Sequence, residues 1–264
     1  MNRKTNTRLL LFLLLAALVP VLAACGRRIS VGETQTKEET VARQDASAVE
    51  VELRMGAGEL NVAGGSQQLL EAAFTYNVEA WEPVVEYDAS DGTGRLTVSQ
   101  PEVEGIGIPN NDIRYEWDLR LSEETPLEMR VDLGAGQNNL NLAGLNLRSL
   151  RMNTGAGEVD VNLGGALETL RMETGAGEIN LNLANRWERD MEAQISGGIG
   201  SVTVLLPSDV GARVTVRQGI GSVNADGLTQ SGDTYTNDAY GESEVTLDIT
   251  IEGGIGEVTL RVGG

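Results

Sequence analysis

From about Ala48 onward, apolar side chains fall on every second position. The stretches "AVEVELRM", "EAAFTYNV", "PVVEYDA", "RLTVSQ", "YEWDLRLS" and "LEMRVDL" all alternate in this way. A period of two predicts strands with one buried face. No stretch sustains a period of 3.6; "SQQLLEAA" offers one helical turn but runs straight into a strand pattern. The Asp-Gly of "DASDGTG" (88–94) predicts a hairpin turn, and "GIGIPNND" (105–112) reads as a longer loop. The body of the chain is therefore expected to be all-β.

A longer period is laid over the first. Gly-x-Gly triplets stand at 56–58, 134–136, 155–157, 175–177, 198–200, 219–221 and 254–256, and from 134 to 219 their first glycines lie 21, 20, 23 and 21 residues apart. Such a repeat predicts stacked supersecondary units. Two residues after the triplets come Leu60, Asn138, Val159, Ile179, Val202, Val223 and Val258; three before them come Leu53, Val131, Met152, Met172, Ile195, Val216 and Ile251. Only Asn138 breaks this apolar register. Each repeat then reads as strand, glycine corner, strand, with a second corner at "AGG" (63–65), "AGL" (143–145) or "GGA" (164–166) leading to the next. A coil of about twenty residues that closes on itself is a β-solenoid rung, and at ~4.8 Å per rung the five triplets from 134 to 221 would span roughly 20 Å. The middle residue changes from Ala (57, 135, 156, 176) to Ile (199, 220, 255), which predicts corners pointing into a core that widens toward the C-terminus.

Several stretches carry a resemblance: "MGAGELNVAGG", "LLEAAFTYNVEAWEPVVEY", "GRLTVSQP", "WDLRLSEETPLEMRVDLGAG" and "GGIGSVTVLLPSDVGARVTVRQGIGSVNADGL". Through them the chain from about Val49 to Val262 resembles bacterial toast-rack domain proteins, which adjoin adhesin-like and cell-wall-active-antibiotic-response families. The resemblance implies a β-sheet stack or solenoid at the cell envelope, with an N-terminal β elaboration. It supplies no catalytic residues to carry over. Some relatives are fused to membrane helices in regulators of envelope stress, a role that does not transfer directly to a chain without such a segment.

The N-terminus sets the expected address. Arg3, Lys4 and Arg8 precede an apolar run from Leu9 to about Val21, shorter than the ~20 residues of a spanning helix. The run ends "LAAC", Leu22 to Cys25, followed by Gly26. That is similar to a bacterial lipobox, so residues 1–24 read as a signal peptide and Cys25 as the lipidated first residue of the mature chain. Residues 25–46 are polar and read as a tether, 47–125 as an N-terminal β region and 126–264 as the solenoid repeats. The expected location is the extracytoplasmic face of a membrane in a bacterial envelope. Cys25 is the single cysteine, so no disulfide forms within the chain.

Charge narrows the chemistry. The net charge is −19, and removing residues 1–24 takes away three cations and leaves −22. Such a surface repels nucleic acid. The absence of histidine excludes His-based general base catalysis and the commonest zinc sites. A Gly-Ala-Gly loop that cradles phosphate opens onto a helix N-terminus; here a strand follows, and a glutamate often comes first, so the triplets read as corners.

What remains are polar columns. Glu59, Glu158, Glu178 and Glu257 directly follow their triplets, Asp160 lies three past, and Asn141, Asn162 and Asn182 lie five past. Stacked amides form ladders along such a face, and the same regular spacing makes a candidate ligand surface. Aligned carboxylates could collect Ca²⁺ weakly, but no calcium-loop pattern accompanies them, and no metal or cofactor is expected. Trp81, Trp117 and Trp187 read as covers for the core. The expected function is non-enzymatic: a solenoid surface that binds an envelope protein or polysaccharide, as in adhesion. The alternatives are an envelope-stress module, or a polysaccharide-acting β-helix enzyme, which so acidic a face disfavours.

Overall fold

The computed structural model describes residues 31–44, 46–90, 92–102 and 113–263; the leader, Cys25 and the whole 105–112 loop prediction lie outside them. Fourteen strands follow one another: β1 (Gln35–Val41), β2 (Ala48–Ser66), β3 (Leu70–Tyr76), β4 (Val84–Ser90), β5 (Thr93–Ser99), β6 (Tyr115–Ser122), β7 (Leu127–Asn141), β8 (Leu147–Asn162), β9 (Thr169–Asn182), β10 (Met191–Leu206), β11 (Gly211–Asp226), β12 (Thr229–Ser231), β13 (Thr234–Thr236) and β14 (Thr246–Val262). Among the described residues the one helical turn is a 3-10 turn at Glu79–Trp81. The protein is an all-β solenoid. The predicted hairpin joins β4 to β5, with Ser90 paired to Thr93 and Gly92 at φ +82°.

Seven strands carry a triplet, and chain length shows that each must fold there. β7 and β8 pair in parallel, Leu127 beside Leu147 and Asn141 beside Asn162. A straight strand of 15 residues would run ~50 Å. The five residues that return the chain from Asn141 to Leu147 reach only about 20 Å. The strand therefore doubles back at its triplet into a first arm and a second arm. Burial agrees: inward positions in β2 are Val49, Val51, Leu53 and Met55 before the triplet but Leu60 and Val62 after it. The inward parity slips at the corner, and the two arms face each other across one core.

The corners stack glycine on glycine. Gly58, Gly136, Gly157, Gly177, Gly200, Gly256 and Gly221 lie side by side in register. Gly157 has φ +128°, and a Cβ there would overlap the carbonyl oxygen of Gly136. Glycine is the residue that allows both the positive φ and the close approach.

The stack runs β2, β7, β8, β9, β10, β14, β11, all parallel. The last strand in the chain thus lies between β10 and β11. Triplets 198–200 and 219–221 are not neighbours, contrary to the five-rung series expected from their spacing. A sequence repeat fixes the length of a coil but not the order in which coils stack.

At the other end the two arms of β2 part company. Its first arm pairs with β5, Arg54 beside Ser99, and its second arm with β6, Glu59 beside Glu116. Together β5 and β6 take the place of one more rung whose corner is enlarged. Beyond them β4 extends the first-arm sheet, and β3 and β1 extend the second. The stretch read as a tether therefore contains a strand, β1, and the rungs begin at β2 rather than after residue 125.

The isoleucine corners also differ from expectation. Ile199, Ile220 and Ile255 are 61%, 69% and 51% exposed. The parity slip turns the middle residue of each triplet outward, so Ile there meets solvent and the core does not widen. Trp117 is fully buried and meets Phe74 edge-on at 5.5 Å, and Trp187 is buried with its Nε1 donating to the Leu183 carbonyl at 2.8 Å.

Asn138 sits in the inward column between Leu60 and Val159 and is 3% exposed. Its Nδ2 donates to the Glu158 carbonyl at 3.3 Å, while its Oδ1 is buried without a partner. An unsatisfied buried acceptor is costly. Asn138→Leu is expected to stabilise the fold by about 1 kcal/mol, read as a rise in melting temperature; a fall would show that the amide is needed.

Candidate functional site

The outer face of the second arms holds the predicted polar residues. Alternation places Glu59, Asn61 and Ala63 outward in β2, and the parallel register repeats those positions in every rung. In spatial order the first column reads Glu59, Gln137, Glu158, Glu178, Ser201, Glu257, Ser222, and the second Asn61, Asn139, Asp160, Asn180, Thr203, Thr259, Asn224. Asn141, Asn162 and Asn182 stand together in the third. A shallow trough of about 210 Å³ is lined by Asn139, Asp160, Asn162, Asn180, Asn182 and Thr203.

The amide ladder forms in part. Asn162 donates to Asn141 Oδ1 at 2.9 Å, and its own Oδ1 accepts from Asn185 at 2.7 Å. Asn182 instead accepts from the Ala184 backbone N–H at 3.0 Å. Asn185, from the loop after β9, takes the rung expected of Asn182. Nothing in the repeat columns marks it, because it belongs to the return loop.

The glutamates are less of a column than the sequence suggested. Only Glu158 and Glu178 are neighbours; Gln137 separates Glu59 from Glu158, and Ser201 and Glu257 follow Glu178 in turn. Amides bridge the outer members: Asn61 donates to Glu59 at 3.3 Å and to Asp118 at 3.1 Å, and Asn224 donates to Glu257. Among the described residues no three Asp, Glu or Cys side chains gather as a metal-holding group.

A larger cleft, about 1060 Å³, opens where the arms of β2 diverge, with Met55, Trp81, Pro101, Ile113 and Tyr115 among its walls. Its aromatic floor is tied down. Tyr115 donates its hydroxyl to the Trp81 carbonyl at 2.8 Å, and their rings meet edge-on at 5.7 Å. Burial pushes the Tyr115 phenol well above its ordinary pKa, so it stays a neutral donor.

The outer face of the first arms carries a feature that the sequence reading missed. Four residues before the first glycine of the triplets stand Arg130, Arg151 and Arg171, which the register places side by side in β7, β8 and β9. Like charges held opposite one another in a sheet repel. Arg130 is paired with Asp132 at 2.7 Å. Burial opposes ionisation of Asp132, but hydrogen bonds from Arg130 and Asn153 outweigh it and lower its pKa. Arg151 and Arg171 are exposed and make no ion pair or hydrogen bond to a described side chain. The signal was present in the repeated "RM" ahead of "NTGAGE" and "ETGAGE"; it becomes visible once the polar columns before the corner are aligned like those after it.

The family model for the N-terminal domain of toast_rack (DUF2154) matches residues 30–169 and 165–205. A crystal structure of a candidate cell adhesion protein from Clostridium sporogenes is similar at 28% identity, over 88% of this chain and 100% of that one, with a TM-score of 0.70. A candidate adhesin from Bacteroides fragilis matches at 12% identity over 89% and 100% of the two chains, with a TM-score of 0.34. A candidate lipid binding protein from Parabacteroides distasonis matches at 14% over 88% and 99%, with a TM-score of 0.34. A search of curated proteins finds no match.

Proposed function

Because the chain belongs to the toast-rack N-terminal domain family, we propose that it is a non-enzymatic adhesion module of a bacterial envelope, binding hydroxyl-rich polysaccharide along the outer face of its second arms. The observation that carries this reading is the in-register array of amides and carboxylates around Asp160 and Asn162, which forms a trough rather than a closed pocket. Neutral sugar hydroxyls both donate and accept, and Asn and Asp side chains offer both complements. The array repeats at ~4.8 Å across strands, so one extended chain could meet several equivalent groups, and weak contacts would add through multivalency. The similar Clostridium sporogenes protein, described as a candidate for cell adhesion, supports the same class of role. The lipobox-like "LAAC" supports anchoring through Cys25 on the extracytoplasmic face.

Retention of the purified protein on isolated cell-wall polysaccharide tests the reading. Asp160→Ala with Asn162→Ala is expected to lower retention at least fivefold, with the melting temperature falling by only a few degrees as the Asn162 ladder bonds are lost; equal retention would reject the trough. The anchor has its own check: Cys25→Ser is expected to move the protein from membrane to soluble fractions, and persistent membrane association would reject lipidation.

A further inference from the structure

We propose that the row Arg130, Arg151, Arg171 binds a linear polymer bearing phosphate groups, laid across the first arms along the axis of the stack. The inference shares with the adhesion reading only the premise that the protein binds by its flat faces. The polysaccharide trough lies on the other sheet, so the two proposals fail separately.

Three observations meet here. The first is the pairing pattern. Five arginines of this face have carboxylate partners: Arg54 with Glu52, Arg95 with Glu50, Arg130 with Asp132, Arg213 with Asp248 and Arg217 with Glu252. Arg151 and Arg171 have none, although the chain carries 39 acidic residues against 20 basic ones. Two unpaired, adjacent guanidinium groups weaken the sheet locally, and a bound anion would relieve that repulsion.

The second observation is their surroundings. Along β8, Arg151 lies between Ser149 and Asn153, and along β9 Thr169 stands two residues before Arg171. Side chains two apart share a face. Two guanidinium groups and two hydroxyls thus share one patch of the outer face, on adjacent strands. A phosphate group, with several acceptor oxygens, can take hydrogen bonds from both forks at once. A lone carboxylate would satisfy one fork.

The third observation selects a thread over a plane. On β2 the column starts at Glu52, beside Arg130; from β7 to β11 it reads Arg130, Arg151, Arg171, Gln194, Thr250, Thr215, with no acidic residue. The flanking columns carry carboxylates on alternate parts of the stack: Glu128, Glu192 and Asp248 on one side, and Asp132, Glu173 and Glu252 on the other, with Ser149, Thr169 and Asn153 nearest Arg151 and Arg171. An anionic bilayer pressed on this face would meet those carboxylates. A single polymer chain following the arginine column avoids them. At physiological salt the Debye length is ~8 Å, so the distant charges of the protein are screened, while the flanking carboxylates, ~7 Å along each strand, still limit the polymer to the width of one chain.

Long-chain inorganic polyphosphate is the probe, with orthophosphate and phosphatidylglycerol vesicles as separate arms. The intact protein is expected to bind polyphosphate saturably, at least 100-fold more tightly than orthophosphate, and less tightly as salt rises. Arg151→Gln with Arg171→Gln should weaken binding at least tenfold while melting at or slightly above the parent temperature, because the repulsion is gone. Arg151→Lys with Arg171→Lys, which keeps the charge and loses the forks, should fall between. The trough variant Asp160→Ala with Asn162→Ala should stay within twofold of the parent. Three results would overturn the proposal: no saturable binding of polyphosphate, equal binding by the glutamine variant, or binding of the vesicles in preference to the polymer.

Discussion

Gly157→Val is expected to destabilise the protein by more than ~3 kcal/mol, through backbone strain and steric overlap acting together. Gly157 lies at φ +128°, where a β-branched residue is strained, and its Cβ would overlap the Gly136 carbonyl in the adjacent rung. Moving β8 outward to relieve the overlap would break the ladder to β7 on one side or compress β9 on the other. A domain of this size loses about 2–4 °C of melting temperature per kcal/mol, so a drop of roughly 6–12 °C or aggregation is expected. Gly253→Ala is the control. It lies beside the corner of β14, without positive φ, and its added Cβ would meet only the Gln218 side chain, at 3.5 Å. It should stay close to the parent. A tolerated Gly157→Val would mean that the corners do not stack as described.

The second large effect concerns the last strand. A chain ending at Glu244 lacks β14, whose Leu247, Ile249, Ile251, Val258 and Leu260 are buried between β10 and β11. Among the described strands β11 pairs only with β14 and the short β13. Removing β14 therefore detaches β11 and its hairpin, while β7 to β9 keep all their neighbours. Stacked repeats depend on nearest-neighbour interfaces, so the loss should stay at that end. Hydrogen exchange is expected to show Gly211–Asp226 unprotected in the shortened chain and β8 still protected. If the coils instead stacked in chain order, β11 would rest on β10 and remain protected without β14.

Much of this architecture was legible in the sequence because two periods were superimposed. Alternation identified the strands, and the Gly-x-Gly spacing identified the rungs. Three things escaped for physical reasons. The place of β14 depends on long-range pairing, which a local repeat does not encode. β1 escaped because its pattern is polar on both faces: it adds to an edge, where Lys37, Glu38 and Glu39 are tolerated. The isoleucine corners escape because side-chain size suggests burial, whereas direction is decided by the parity slip at the triplet. Of the candidate site, Glu158, Asp160, Asn141 and Asn162 are brought together as their columns implied. Asn185 enters from a loop, and the arginine row lies in polar columns ahead of the corner, where the apolar alternation is the stronger signal.

Strand order decides which side chains share a face, so it is the point to measure. In a Cys25→Ser background, cysteines are placed in pairs at Thr203 of β10, Thr259 of β14 and Asn224 of β11, which stand in one outward row. Neighbouring strands lie ~4.8 Å apart, within the Cα range for a disulfide, whereas strands two places apart lie about 9.6 Å apart, beyond it. Mild oxidation is expected to cross-link Thr203→Cys with Thr259→Cys, and Asn224→Cys with Thr259→Cys, but not Thr203→Cys with Asn224→Cys. Efficient cross-linking of the last pair, with none through position 259, would contradict the fold described here.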